Sequence, residues 1–268
     1  MNLNTLTTFP FQRPSAQNPV RMIRIKTLST TPPDGLDRST IQAETRDLQE
    51  RLAAQHELLR ATKSHSLLVI FQGMDAAGKD GAVKNVFKAC PHLGIRSYSW
   101  GKPTEEEFAH DFLWRIHRVC PAKGEVVIFN RSHYEDVLIQ RVHHWIDAER
   151  VDLRYRAINT FEQLLEKDAN TLVCKYFLHL SYDEQRKQLQ ERIDEREKHY
   201  KHNPNDWRER EHWDAYMDAY EDMLNRTEIP WTVVPVDKRW YRNYVILKDL
   251  VPRLEALHLE YPELEADD

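Results

Sequence analysis

A chain of 268 residues, 41% of them hydrophobic, can bury one substantial core, and its net charge of −5 argues against a surface that binds nucleic acid through bulk positive charge. No run of about 18 apolar residues occurs, so no membrane span is expected. Three cysteines, Cys90, Cys120 and Cys174, have neither metal-binding spacing nor an even count, which suits a reducing cytoplasm.

Residues 1–38 mix Thr, Ser, Pro and Arg without an apolar core segment or a signal peptide, and they read as a loosely ordered N-terminal arm. One domain is expected from 39 to 268. It opens with a helix over 39–63, where Ser39 and Gln42 stand at capping-box spacing and Leu48, Leu52 and Leu59 recur at helical spacing. Ser66 to Gln72 reads as a buried strand, and Lys79 to Ala89 as a helix with Val83, Val86 and Phe87 on its apolar face. A second strand spans Ile95 to Trp100, and Thr104 before Glu105 to Glu107 suits a helix start. Further strands are expected over Glu125 to Asn130, Thr171 to Leu180 and Trp231 to Val236, with helical stretches between them. Such alternation predicts a parallel sheet covered on both faces, a three-layer α/β sandwich. Ligands of these sheets bind at the carboxyl ends of the strands. That rule selects the loop after Gln72, Gly101 with Lys102, the segment 130–135 and the segment after Leu180.

The loop after the first strand reads GMDAAGKDG, Gly73 to Gly81. It has the spacing of a P-loop, in which successive backbone N–H groups at a helix N-terminus converge on phosphate oxygens and a lysine adds a point charge. The backbone of Gly73, Met74, Ala76, Ala77, Gly78, Lys79, Asp80 and Gly81 is the expected cradle. Asp80 occupies the position where nucleotide hydrolases carry the Ser or Thr that ligates magnesium. Inside the loop, Asp75 would repel phosphate unless a cation lay between them, so it is read as a magnesium ligand. A chance match in a strand-to-helix turn is the plain alternative, and the flanking strand and helix weigh against it.

The third strand ends in NRSHYED, residues 130–136. Asn130 stands where nucleotide enzymes place a magnesium-orienting group, and the rigid fork of Arg131 suits a phosphate. Glu135 follows within about a turn; helix capping and surface ion pairing are the plain readings of these residues. His133, His143 and His144 lack the spacing of metal ligands. Ser181 with Glu184 caps a helix expected to run to about Lys198, and Asn203, Pro204 and Asn205 interrupt the periodicity beyond it. With Arg186, Arg192 and Arg208, residues 186–212 suit a lid that excludes water and stabilises charge, although acids there are numerous enough to pair every base. A polyanion on an acidic protein must be held locally, and Lys84, Lys88, Arg115, Arg118 and Lys123 are the candidate channel.

In this order GMDAAGKDG, FNRSHYEDVL, the lid-like stretch, HWDAYMDAYEDML (His212 to Leu224) and PVDKRWYRN (Pro235 to Asn243) resemble the polyphosphate kinase 2 family over about Leu48 to Leu257. The resemblance implies a thymidylate-kinase-like P-loop kinase fold that moves phosphate between inorganic polyphosphate and nucleotides with magnesium. It matches Asp75 and Lys79 to the family's P-loop aspartate and lysine, Arg131 to its second-motif arginine and Arg192 to its lid arginine. Many members carry Asp where this chain has Asn130. The Asn form followed by SHYED looks like the class III branch, which accepts both AMP and ADP, and it makes Glu135 a partial replacement for the lost carboxylate on the metal. GMP and GDP are further candidate acceptors, and a homo-oligomer, dimer or tetramer, is expected. Two other readings stand beside this one: a nucleoside monophosphate kinase using ATP, and a non-catalytic phosphate-sensing P-loop protein.

Overall fold

Every residue of Ser66–Gln72 (β1) is buried, because this strand lies at the centre of a sheet. A computed structural model describes residues 22–264. In chain order its elements are α1 (Arg38–Thr62), β1, α2 (Lys79–Val86), β2 (Ile95–Ser99), α3 (Glu105–Phe108), α4 (Trp114–His117), β3 (Val126–Asn130), α5 (Glu135–Val142), α6 (Ala148–Lys167), β4 (Thr171–His179), α7 (Tyr182–Asp194), α8 (Pro204–Glu209), α9 (Trp213–Arg226), β5 (Trp231–Pro235) and α10 (Arg239–Glu255). The five strands form one sheet in the order β2-β3-β1-β4-β5, and every pairing is parallel.

Alternation along β1 divides the core. Leu67, Val69 and Phe71 face a layer built with Leu48, Leu52 and Leu59 of α1 and with Val245, Leu247 and Leu250 of α10. Leu68 and Ile70 face the opposite layer, where Val137 and Leu138 of α5, Ile158 and Phe161 of α6 and Met223 of α9 pack. Each such aliphatic side chain contributes about 1.5–3 kcal/mol on burial, so the two faces together fix the register of the central strand. The expected three-layer α/β sandwich is therefore the observed architecture.

Several boundaries differ from the sequence reading. Asp37, not Ser39, caps α1: its carboxylate accepts from Thr40 N at 2.7 Å, and Ser39 Oγ donates to that same carboxylate. Ser181 does cap α7, accepting from Glu184 N at 3.2 Å, but the helix ends at Asp194 and a 3-10 stretch, Arg196–Lys201, follows. The part of the arm that is described is docked rather than loose. Ile25 is buried, Ile23 N donates to Asn225 Oδ1 at 2.8 Å, and Thr30 Oγ1 donates to Asp237 beyond β5 at 2.8 Å. Residues 1–21 of that arm lie outside the described residues.

One buried ion pair ties the second layer together. Lys175 of β4 donates to Glu162 of α6 at 2.6 Å and to the Tyr134 hydroxyl at 2.7 Å, and that hydroxyl donates to Glu162 at 2.8 Å. His133 Nε2 lies 3.3 Å from the same carboxylate. Lys175 and Glu162 are essentially inaccessible, so neither charge has water to fall back on. Lys175→Ala should therefore cost about 3–5 kcal/mol by stranding a buried carboxylate. The joint change to Met at 175 and Leu at 162 should recover most of that loss. Denaturant midpoints of the two variants check both expectations.

Candidate active site

Parallel pairing brings the carboxyl ends of all five strands to one rim. There the P-loop, the 130–135 turn, α7 with its 3-10 extension and the start of α10 enclose a cavity of about 740 Å³. Gly73 and Gly78 both hold positive φ, +152° and +85°, as a loop that folds its amides inward requires. Lys79 is buried at the start of α2, and its Nζ donates to Gly73 O at 2.7 Å and Met74 O at 3.0 Å. Burial and the nearby Arg131 push its amine down to about 8.

Arg131 follows the tip of β3 in a left-handed conformation, φ +64°, that a non-glycine residue adopts only when its surroundings enforce it. Its N–H donates to Phe71 O at 3.0 Å, and Tyr134 N donates to Ser132 Oγ at 3.2 Å. The buried His133 and Tyr134, held by Glu162 and Lys175, anchor the turn from below. The guanidinium thereby lies between two carboxylates, hydrogen-bonded to Asp75 and 3.6 Å from Glu135, which itself accepts from Gln72 at 3.1 Å. Burial alone would raise the Asp75 carboxyl; the Arg131, Lys79 and Arg192 charges outweigh it and hold the group below its usual range.

Asn130 and Asp80 explain each other. Asn130 Nδ2 donates to Asp80 Oδ1 at 2.6 Å, while Lys201 Nζ stands 3.3 Å from the other Asp80 oxygen. An aspartate at 130 would place two carboxylates in contact and replace a hydrogen-bond donor to Asp80 with a like charge. The two departures noted in the sequence are thus joined by one hydrogen bond, from the tip of β3 to the first turn of α2. Asp80 is neutralised from the side and does not point into an all-acid cluster.

Magnesium fits the donors present. No group of three or more His, Cys, Asp or Glu side chains placed to hold a metal occurs among the described residues. Magnesium in phosphoryl-transfer sites usually needs only one or two carboxylates, with substrate phosphates and water completing its octahedron. Asp75 lines the cavity, whereas Glu135, on the other side of the Arg131 guanidinium, does not; the two carboxylates are the number such a site would use.

Helix α7 and the segment after it are hydrogen-bonded to the P-loop and to each other. Gln185 of α7 donates to Asp75 O at 3.1 Å and accepts from the buried Arg210 at 2.9 Å. Arg192 lines the cavity and crosses to the next segment, donating to Asp206 at 2.7 Å and to Lys201 O at 3.1 Å. Arg186 and Arg208, expected beside it, are exposed and do not line the cavity.

None of the five expected channel residues lines the cavity. Lys84 and Lys88 are exposed on and beyond α2. Arg115 is buried and spent on structure: it donates to Gly101 O at 3.1 Å and to Glu107 at 3.3 Å, and its guanidinium lies over Trp100. Arg118 covers the Trp114 ring, and Lys123 precedes β3 at the end of the sheet remote from the P-loop. Adjacency in sequence suggested a cluster that the helix and strand ends disperse.

The cationic wall comes from elsewhere. Lys79, Arg131, Arg192, Lys198, Lys201, Arg239 and Arg242 line the cavity, against the carboxylates of Asp75, Asp80 and Glu191. An acidic chain thus concentrates positive charge in one concave site, where low-dielectric walls focus its field. Arg239 and Arg242 follow β5, so the strand-end rule extended to the fifth strand would have found them.

The sequence profile of the family Polyphosphate kinase 2 matches residues 35–262. An AMP/ADP-polyphosphate phosphotransferase of Meiothermus ruber is 47% identical over 221 residues, 81% of this chain and 82% of that protein. An ADP-polyphosphate phosphotransferase of Rhodopseudomonas palustris is 42% identical over 229 residues, 80% of this chain and 79% of that one. The crystal structure of a polyphosphate kinase 2 from Arthrobacter aurescens superposes with a TM-score of 0.85 at 40% identity, covering 96% of this chain and 92% of the other. A P-loop at the rim of a parallel sheet, covered by α7 and walled by cations, is carried by a chain that belongs to the polyphosphate kinase 2 family.

Proposed function

We propose that the protein transfers phosphoryl groups reversibly from inorganic polyphosphate to AMP and ADP, with guanine nucleotides as further acceptors, using magnesium. The observation that carries this reading is the cation-lined cavity over the P-loop in a chain of net charge −5. The names of its relatives support the same donor and acceptors. Three cysteines without disulfide partners accord with a cytoplasmic setting, and a homo-oligomer remains part of the proposal.

The terminal phosphoryl group of polyphosphate rests on the loop amides of 76–80 and on Lys79. An ionised phosphate oxygen of the nucleotide attacks that phosphorus in line as the bond to the bridging oxygen breaks, and the shortened polyphosphate leaves with the bonding pair. No proton has to be removed first, so positioning and charge stabilisation supply the rate. Arg131, set rigidly by its turn, and Arg192, brought in by the lid, donate to the equatorial oxygens. Asn130 keeps Asp80 turned aside, so no unneutralised carboxylate faces the incoming phosphate. Magnesium, held by Asp75 with Glu135, would spread the charge that develops on the phosphates.

Lys79→Ala and Asp75→Asn should each lower polyphosphate-dependent ADP formation from AMP by at least about a hundredfold, the scale of losing one transition-state charge contact. Nucleotide chromatography of reactions supplied with polyphosphate and no ATP checks this, and retention of normal turnover in either variant would sink the assignment. A pH profile gives a separate test. Lys79 is charged below about 8 and neutral above it, and bound phosphate favours the charged form. On the free enzyme kcat/KM for polyphosphate should therefore fall as pH rises through about 8, and Lys79→Arg should remove that limb because arginine stays protonated.

A further inference from the structure

Most of the cations facing the cavity already have counter-charges. Arg131 pairs with Asp75 and Glu135, Arg192 with Asp206, Lys198 with Glu191 and Glu195, Lys201 with Asp80, and Arg239 with Glu191. Among the described residues, Lys79 and Arg242 line the cavity without an ion pair. The two share a further signature. Lys79 is 8% exposed and Arg242 3%, both donate to P-loop carbonyls, and burial pushes both below their ordinary range, Arg242 to about 10 with Arg239 adding to the effect. A buried cation with no opposite charge is costly. The chain keeps two buried cations without an ion pair against the same loop, Lys79 within it and Arg242 reaching it from α10.

The loop is also shaped around this guanidinium. A Cβ at Gly78 would stand 2.4 Å from Arg242 Nη1, and one at Gly81 would stand 3.1 and 3.2 Å from Nη2 and Nη1. Gly81 lies inside α2, where glycine is a poor helix former, so its presence there has a steric reason. Of the five N–H groups of the guanidinium, Nε and one on Nη2 go to Asn243 Oδ1 at 3.0 and 2.8 Å, and one on Nη1 goes to Gly78 O at 2.9 Å. One N–H on each terminal nitrogen is left for a ligand. The first turn of α10, which carries Arg242, holds no acidic side chain.

We propose that Arg242 is a second phosphate-binding cation of the P-loop, whose counter-ion is the polyphosphate donor. Two cations without an ion pair, one in the loop and one set against it from α10, call for a ligand charged at successive phosphates. Polyphosphate meets that requirement and AMP, with one phosphate, does not; ADP carries two, so the KM for ADP is the measurement that separates donor from acceptor. The inference rests on the reading that the loop holds the donor.

Arg242→Met keeps most of the side-chain volume and removes the charge, while Gly81→Ala keeps the charge and crowds the guanidinium. Both should raise KM for polyphosphate, the first by about tenfold or more, as expected for a lost charge-assisted hydrogen bond. KM for ADP should change by less than about twofold, and the denaturation midpoint of Gly81→Ala should not fall, because alanine favours the helix. Calorimetric titration with tripolyphosphate in the absence of nucleotide should show the same loss of affinity. Unchanged tripolyphosphate affinity in both variants, or equal rises in KM for polyphosphate and ADP, would overturn the proposal. Failure of the wild-type protein to use polyphosphate would count against the proposed donor alone, because the tripolyphosphate titration still decides the role of Arg242.

Discussion

The central strand, paired in parallel on both sides, is the constraint on which the site depends. β1 is hydrogen-bonded to β3 along one edge and to β4 along the other, with Phe71 opposite both Asn130 and Tyr176. Parallel register forces the three chains to leave the sheet at the same level. The P-loop, the Arg131 turn and the root of the lid then have no choice but to meet. The hydrophobic packing that fixes this register lies well below the rim, so the chemistry can be polar and strained while the core stays apolar.

Charge is arranged there in layers. Beneath the rim, the Lys175–Glu162 pair with Tyr134 and His133 holds the turn that forces Arg131 to a positive φ. At the rim, guanidinium and carboxylate groups neutralise one another in pairs, Arg131 with Asp75 and Arg192 with Asp206. Facing the cavity, Lys79 and Arg242 make no ion pair. A polyanion entering this site meets groups whose positions are already set, which reduces the reorganisation that binding or transfer requires.

The lid illustrates why composition alone was ambiguous. Its acids and bases are numerous and nearly balanced, and most do pair with one another, as Lys198 does with Glu191 and Glu195. Only the bend after Asp194, which turns the 3-10 stretch back over the P-loop, brings Lys201 to Asp80 and Arg192 to Asp206. Arg186 and Arg208, of the same residue type and in the same segment, are exposed outside the cavity.

Local pattern determined the five strands, the P-loop and the polar tip of β3, because buried strands are apolar runs and a phosphate nest needs glycine and lysine at fixed spacing. That pattern placed Asp75, Lys79, Asn130 and Arg131 at the rim, where they line the cavity. Which cations face the ligand was decided only by the tertiary structure. Arg115 and Arg242 look alike in sequence, yet one is consumed by Glu107 and Trp100 while the other is pressed against Gly78 and Gly81 from a helix more than 150 residues away. The partner of a side chain across the sheet carries no local signal, and it is the partner that decides whether a charge is spent on the fold or kept for a substrate.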